Sequence, residues 1–436
     1  MQHIIKKQII NLTLNQKMDA FIVQHLVSER YWHEIVPVLQ KALDGISAED
    51  EIYYLDKLEI DLGIINVKDI EKGRWNDDVF KKVAEQLSLL TSGPSSEKKV
   101  KKPKTLSVAE QWLFYMEHGF LPWNILQISN EWYKNVLEAF AVNSVVIEKL
   151  RSLIRTNFIA ANRIVFQHSH DFLKALLETL TAEKQDKLPE LVNEMAQVIL
   201  FLNLMNESHL LQKKQLVQKL WFQAFQISVS RKENLNSSKL IVDLLKRNIP
   251  DDESGKNLSA KHSENKINLE EGIFVQHAGI VLLHPFLNMF FKNLEIVKEN
   301  AFINESAHQK ALFLLHYLAT GLTTANEHEL VIEKILCQWP LEKPVNNLIQ
   351  IAADDLKEAD ELLTEVIYQW KILKKTSFAG LREGFLHRNG KLYTRNDNLH
   401  LQLEASAIDV LLDQLPWNLS VIKLPWMNDI LRVEWR

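Results

Sequence analysis

The chain has 436 residues, 46% hydrophobic and 25% charged, with 51 basic against 56 acidic side chains and a net charge of −5. This composition builds cored globular domains, two or three at this length, and supplies no global basic field to draw nucleic acid or a membrane surface. Its one cysteine, Cys337, excludes an internal disulfide framework and a multi-thiolate zinc site.

Residues 1–90 read as a small α+β unit. The opening residues lack the apolar core and cleavage site of a signal peptide. Alternation from Ile5 to Leu14, with a slip at Ile9-Ile10, predicts a strand with a bulge. Asp19 is placed to cap a helix through Phe21, Val23, Leu26, Val27, Ile35 and Val36, which Pro37 kinks or restarts and Gly45 ends. Leu58, Ile60 and Leu62 alternate with Lys57, Glu59 and Asp61, predicting a second strand, and residues 77–90 a second helix. Residues 91–104, rich in Ser, Pro and Lys, form a basic flexible linker whose lysines favour solvation over phosphate contact.

Residues 105–229 form a helical middle. Helical spacing runs over 109–119, 132–140, 145–154, 171–180 and 191–205, with a break at Leu121-Pro122-Trp123. Arg151, Arg155 and Arg163 share a partly basic face, read as solvated. Residues 230–268 are a polar linker interrupted by a short apolar helix, 240–245, and residues 269–436 are the C-terminal α+β module. No fixed-period repeat and no sustained heptad is present.

The longest apolar run, 273–291, approaches the length of a membrane span. It carries Gln276, His277, His284, Pro285 and Asn288, and so predicts buried core and no membrane span. Leu362, Val366, Ile367 and Trp370 recur at helical steps, and Thr376 or Ser377 offers a cap for a short helix over 378–386. Asn389-Gly390 signals a turn, followed by strands over 391–394 and 399–404, a short helix over 409–415 and alternation over 431–435. The fold class is therefore α+β and predominantly α-helical, with an N-terminal strand–helix–strand unit, a helical middle, and a C-terminal helical module with a small antiparallel β element. In Leu415-Pro416-Trp417 and Leu424-Pro425-Trp426, proline fixes the turn while the next ring projects; a core plug is favoured over a docking surface. The candidate packing or docking residues are Leu283, His284, Pro285, Phe286, Trp370, Gly380, Leu381, Arg382, Pro416, Trp417, Pro425 and Trp426.

The histidines are the first candidates for chemistry. His277, His284, His308, His316 and His328 fall close together in sequence, but His328-Glu329 lacks the second histidine of a zincin helix. His284 and His316 sit in apolar runs and read as core histidines bonded to a backbone group. Neither a nucleophile elbow nor a phosphate loop is present, and Cys337 reads as inert packing. The residues thus assign no catalytic, cofactor-binding or metal position. The competing reading is a metal-binding enzyme using His277 to His328, and a third is a general cytoplasmic helical adaptor.

Several blocks of residues, in order along the chain, resemble the tape measure protein family of contractile injection systems, the phage-tail-like particles of the extracellular type. At the start these are His3-Ile-Ile-Lys-Lys-Gln-Ile-Ile and Tyr54-Leu-Asp-Lys-Leu-Glu-Ile-Asp-Leu-Gly63. The central ones are His277-Ala-Gly-Ile-Val-Leu-Leu-His-Pro-Phe-Leu287, His316-Tyr-Leu-Ala-Thr-Gly321 and Glu329-Leu-Val-Ile-Glu-Lys-Ile-Leu-Cys337. The last are Thr376-Ser-Phe-Ala-Gly-Leu-Arg-Glu-Gly-Phe-Leu386 and Asp409-Val-Leu-Leu-Asp-Gln-Leu-Pro-Trp417, on through Pro425-Trp426. The resemblance implies a non-enzymatic assembly protein that helps set tube and sheath length, with no catalytic residues to transfer. Its implied partners are inner tube, hub or spike, and baseplate proteins. It would be cytoplasmic during assembly and within the particle afterwards. A fully helical chain of this length would span roughly 650 Å at about 1.5 Å per residue. Strands, prolines and two polar segments break this one, so the expectation is docking ends around a helical middle.

Overall fold

The computed structural model describes residues 3–5, 8–14, 19–45, 51–92, 99–125, 128–202, 209–230, 235–248, 269–270 and 272–435. The chain divides into two compact units, Met1–Val108 and Ala109–Arg436. Of the predicted linkers, residues 93–98, 231–234 and 249–268 lie outside the described residues.

In the first unit, α1 (Ala20–Arg30) starts as the cap predicts, with Asp19 Oδ1 accepting from the backbone N–H of Phe21 at 2.9 Å. A π turn, Tyr31–Ile35, joins it to α2 (Val36–Asp44), where Pro37 sits in the first turn and has no N–H bond to forfeit. After β1 (Glu51–Leu55) come α3 (Val67–Glu71), α4 (Asn76–Ser92) and β2 (Lys99–Pro103). The core gathers Val23, Val27, Ile35, Ile70, Trp75, Val83 and Leu87, and the Trp75 indole donates to Glu34 Oε2 at 3.1 Å.

Three expectations change here. The described part of 5–14 forms no strand. Leu58, Ile60 and Leu62 lie in irregular chain: they pack half-buried on the helical core, so one face is satisfied without a neighbouring ladder. The strand lies earlier, at β1, and its antiparallel partner β2 comes from the end of the predicted basic linker, with Tyr53 opposite Lys101.

The second unit opens with helices. The unit boundary falls within α5 (Lys104–His118), and α6 (Asn130–Val142), α7 (Ser144–Thr156), α8 (Phe158–Gln167) and α9 (His170–Thr181) follow. Short polar side chains punctuate them. Ser129, Asn143, Asn157 and Ser169 each accept a hydrogen bond from the first turn of the helix that follows. Then come α10 (Leu188–Leu202), α11 (His209–Ser230) and α12 (Ser237–Asn248).

The remainder starts with β3 (Ile273–Val275), a 3₁₀ turn (Ala278–Leu283), α13 (His284–Asn293) and a small hairpin of β4 (Val297–Lys298) and β5 (Ala301–Phe302). Next are α14 (Glu305–Thr320), a 3₁₀ turn (Glu327–Leu330), α15 (Val331–Leu336), α16 (Ala353–Gln369) and α17 (Phe378–Leu381), extended by a π turn (Arg382–Leu386). The chain closes with β6 (Gly390–Arg395), β7 (Asn398–Leu403), a 3₁₀ turn (Ala407–Gln414), β8 (Val421–Ile422) and β9 (Leu431–Glu434). The architecture is α+β and predominantly helical.

The larger sheet has the order β3-β6-β7-β9-β8, antiparallel except for the parallel pair β7–β9. Its inner face carries Ile273, Leu392, Leu401 and Val433 into the core, with Lys391, Gln402 and Arg432 on the other side. The hairpin between β6 and β7 turns at Asn396-Asp397, both at positive φ (50° and 59°), and Gly390, after Asn389, begins β6. Residues 273–291 are largely buried, as expected of core. Among the described residues no helix is long and apolar enough to cross a membrane.

Gly279 lets the first 3₁₀ turn lie against the π turn, since a Cβ there would come within 1.8 Å of the Phe385 carbonyl oxygen. Gly279→Ala is expected to cost at least about 3 kcal/mol, the upper end of overpacking penalties. The urea midpoint of the purified variant measures it.

Candidate functional site

Two groups of buried polar side chains meet at one short segment, residues 327–334, where Leu330-Val-Ile-Glu-Lys-Ile-Leu-Cys337 places Glu333 and Lys334 inside an apolar run. A helix that is apolar all round is buried all round, so its charged residues are carried into the core with it.

The first group is centred on Glu327. Glu327 and Arg163 are fully buried and Lys334 is 1% exposed. Arg163 Nε donates to Glu327 Oε2 at 3.0 Å, and Lys334 Nζ donates to Glu327 Oε1 at 2.5 Å. The guanidinium also donates from Nη1 to the carbonyls of Met116 and Glu117 and from Nη2 to that of Glu342, and the ammonium to those of Leu341 and Lys343. The Glu327 backbone N–H donates to Gln167 Oε1 at 2.9 Å, and Gln167 Nε2 to the Val345 carbonyl at 2.9 Å. Burial pulls the Lys334 ammonium down to about 8, with Glu327 opposing and Arg163 reinforcing that shift. Arg163, expected on a solvated face, is thus one of the most buried residues. It lies in Ile-Ala-Ala-Asn-Arg-Ile-Val-Phe166, where the apolar flanks outweigh the basic spacing with Arg151 and Arg155.

The second group faces the other way from the same segment. His277, at the start of the first 3₁₀ turn, His316 on α14 and Glu333 on α15 bring one ligand atom each to within 4.8 Å of one another. His316 Nδ1 lies 3.9 Å from Glu333 Oε1, beyond hydrogen-bond range. His277 Nδ1, His316 Nδ1 and both Glu333 carboxylate oxygens are buried with no hydrogen-bond partner among the described residues. Burial holds the His277 ring down to about 4 and the His316 ring to about 3, and pushes the Glu333 carboxyl well above the usual range. His277 adopts a left-handed backbone, φ 53° and ψ 26°, uncommon outside glycine. The His387 ring lies 5.6 Å from that of His277 and lines a shallow groove of about 480 Å³ with Glu383, Arg388, Glu404 and Ser406.

The other histidines are accounted for individually. His284 Nδ1 pairs with the Val281 carbonyl at 3.1 Å, as expected. His308 Nε2 pairs with the Cys337 carbonyl at 2.6 Å, and its ring stacks on Phe302. His328 is buried edge-on to Tyr115, and its Nδ1 too has no hydrogen-bond partner among the described residues, but no carboxylate and second histidine converge on it. His316 departs from expectation, because its Nδ1 meets no backbone group. The sequence cluster His277 to His328 therefore does not converge; two of its members do, with a carboxylate that the histidine spacing did not reveal. Cys337 is fully buried, with its thiol pushed well up by burial, which removes it as a nucleophile.

The candidate packing residues are dispersed over the second unit. Leu283 is buried, Pro285 exposed, and Phe286 meets the Trp417 ring edge-on at 5.1 Å while Trp417 Nε1 donates to the Leu282 carbonyl at 3.0 Å. Trp370 is buried against Phe385 at 4.7 Å. The Gly380 N–H donates to Ser377 Oγ at 3.1 Å, and Leu381 is buried. Arg382 donates to the Leu318 and Tyr317 carbonyls at 3.1 and 3.2 Å, placing a cation at the C-terminal end of α14. Trp426 is buried between Phe291 and Phe302, its Nε1 donating to the Leu336 carbonyl at 2.8 Å, while Pro416 and Pro425 are exposed.

These features define a cored, mostly helical protein whose polar interior serves internal cross-linking. The chain belongs to the contractile injection system tape measure protein family, whose profile matches residues 2–435. No curated protein and no solved structure matches it.

Glu327→Gln leaves two buried cations without a counter-charge and is expected to cost about 3–5 kcal/mol in urea unfolding. A second prediction concerns acid. His168, whose Nδ1 pairs with the Ile164 carbonyl and whose Nε2 accepts from the Trp112 indole, and His328 are both held by burial to about 4, below the ordinary 6.5. The unfolded chain protonates these rings first, so their contribution is complete above pH 6.5 and is lost as pH falls towards 4. In stability measured across that window, His168→Gln should lower the slope by about one proton relative to wild type.

Proposed function

We propose that this chain is a non-enzymatic assembly component of a contractile, phage-tail-like injection particle. It contacts inner-tube, hub or spike, and baseplate proteins, takes part in setting tube and sheath length, is assembled in the cytoplasm and is retained in the particle. The observation that carries this reading is the family match over residues 2–435. Length control by docking, and not by an extended rod, draws support from the short elements: among the described residues the longest single α-helix, α11, has 22 residues and spans about 33 Å. The C-terminal module also presents apolar side chains to solvent, with Tyr368 79% and Val410 63% exposed. Such residues contribute nothing to the core and are suited to a partner surface.

Deleting the coding sequence from a particle-producing strain is expected to abolish particles of uniform length in electron micrographs, and wild-type complementation to restore them. Complementation with Tyr368→Ser/Val410→Asp should yield folded protein without restored particles. Unchanged particle number and length in the deletion strain would overturn the reading.

A further inference from the structure

We propose that His277, His316 and Glu333 form a binding site for one divalent transition-metal ion of the zinc type, which cross-links the 3₁₀ turn Ala278–Leu283, α14 and α15. This goes beyond the assembly role and does not depend on it.

The argument is one of unmet valence. A buried histidine in a core ordinarily bonds a backbone or side-chain group, as His168, His284 and His308 do here. His277 and His316 instead carry buried Nδ1 atoms with no partner among the described residues, and each brings a ring nitrogen near a buried carboxylate that accepts no hydrogen bond among them. Each such orphan costs about 1–3 kcal/mol, more for a charged group. A cation held between the ligand atoms satisfies all three residues at once. The left-handed backbone at His277 is the kind of local strain found where a side chain must be aimed.

Two imidazoles and a carboxylate form the donor set of open zinc sites, and nitrogen ligands disfavour magnesium and calcium. Zinc bonds of about 2.0–2.1 Å require ligand atoms roughly 3.4 Å apart. The 3.9 Å between His316 Nδ1 and Glu333 Oε1 therefore closes by about half an ångström, and a pair as far apart as 4.8 Å by about 1.4 Å, through side-chain rotation on metal binding. A fourth position remains for water or for His387, whose exposed ring stands between the solvent-facing groove and His277 and marks an entry path. With the ligands on three separate elements and no nucleophile in the cluster, the ion acts as a clamp on the fold, stabilising the native state by mass action.

The test uses the full-length, untagged chain, stripped with chelator and titrated with zinc chloride in a calorimeter. The expected result is one equivalent bound per chain, with a melting temperature that rises with zinc concentration. Glu333→Gln, which preserves volume, should fold and weaken zinc binding at least about 100-fold. X-ray absorption on zinc-loaded wild-type protein provides a readout independent of any variant, with an expected first shell of nitrogen and oxygen at about 2.0–2.1 Å. Failure of wild-type protein to bind a stoichiometric ion, undiminished binding in a folded Glu333→Gln variant, or a sulfur ligand at about 2.3 Å would each overturn the assignment.

Discussion

The second unit depends on a single buried carboxylate. Glu327 stands between the Arg163 guanidinium and the Lys334 ammonium, all of them withdrawn from water. Taking each ion out of water costs several kcal/mol, and the arrangement is tolerable because four of the five guanidinium N–H groups and all three of the ammonium find acceptors. The acceptors are carbonyls at Met116, Glu117, Leu341, Glu342 and Lys343, so the constraint spreads through the backbone. The end of α5, the middle of α8 and the chain after α15 can each occupy only the position that completes this set. Gly119 follows from it: at φ +82°, a Cβ there would lie 2.8 Å from Glu327 Oε1 and 2.9 Å from Arg163 Nη2. The charge network and the turn that passes it require a residue without a side chain.

How much of this was legible depends on the range of the physics involved. Helices in the middle are announced locally, by Ser and Asn caps and three- and four-residue apolar steps, and α6, α7 and α9 lie within a few residues of the predicted spans. The sheet strands β6, β7 and β9 are equally visible, because half-buried strands alternate. What alternation cannot specify is a partner. Leu58 to Leu62 alternates yet joins no sheet among the described residues, whereas Glu51–Leu55 finds its neighbour far along the chain at Lys99–Pro103. The site was less legible still. Arg163 is far in sequence from Glu327 and Lys334, which themselves share one short segment, and only the fold reveals that the three neutralise one another. The available signal was a charge embedded in an apolar run, present at Arg163 and again at Glu333-Lys334. Among the histidines, spacing grouped five, while the fold selected His277 and His316 and added Glu333.

The segment 327–334 faces two ways. One side closes the charge network; the other presents Glu333 to the two imidazoles. Both sides fasten separate elements of the second unit to this one segment. Apolar side chains such as Tyr368 and Val410 are left on the outside of the same unit.

The central claim is that α8 and the 327–345 region are held as one body by Glu327. Hydrogen–deuterium exchange of the full chain, comparing wild type with Arg163→Met, tests it most directly. The account predicts that amides of α8, of the turn at 327–330 and of the chain at 341–345 lose protection together, as members of one cooperative unit. Loss confined to α8, with 327–345 exchanging as in wild type, would contradict it.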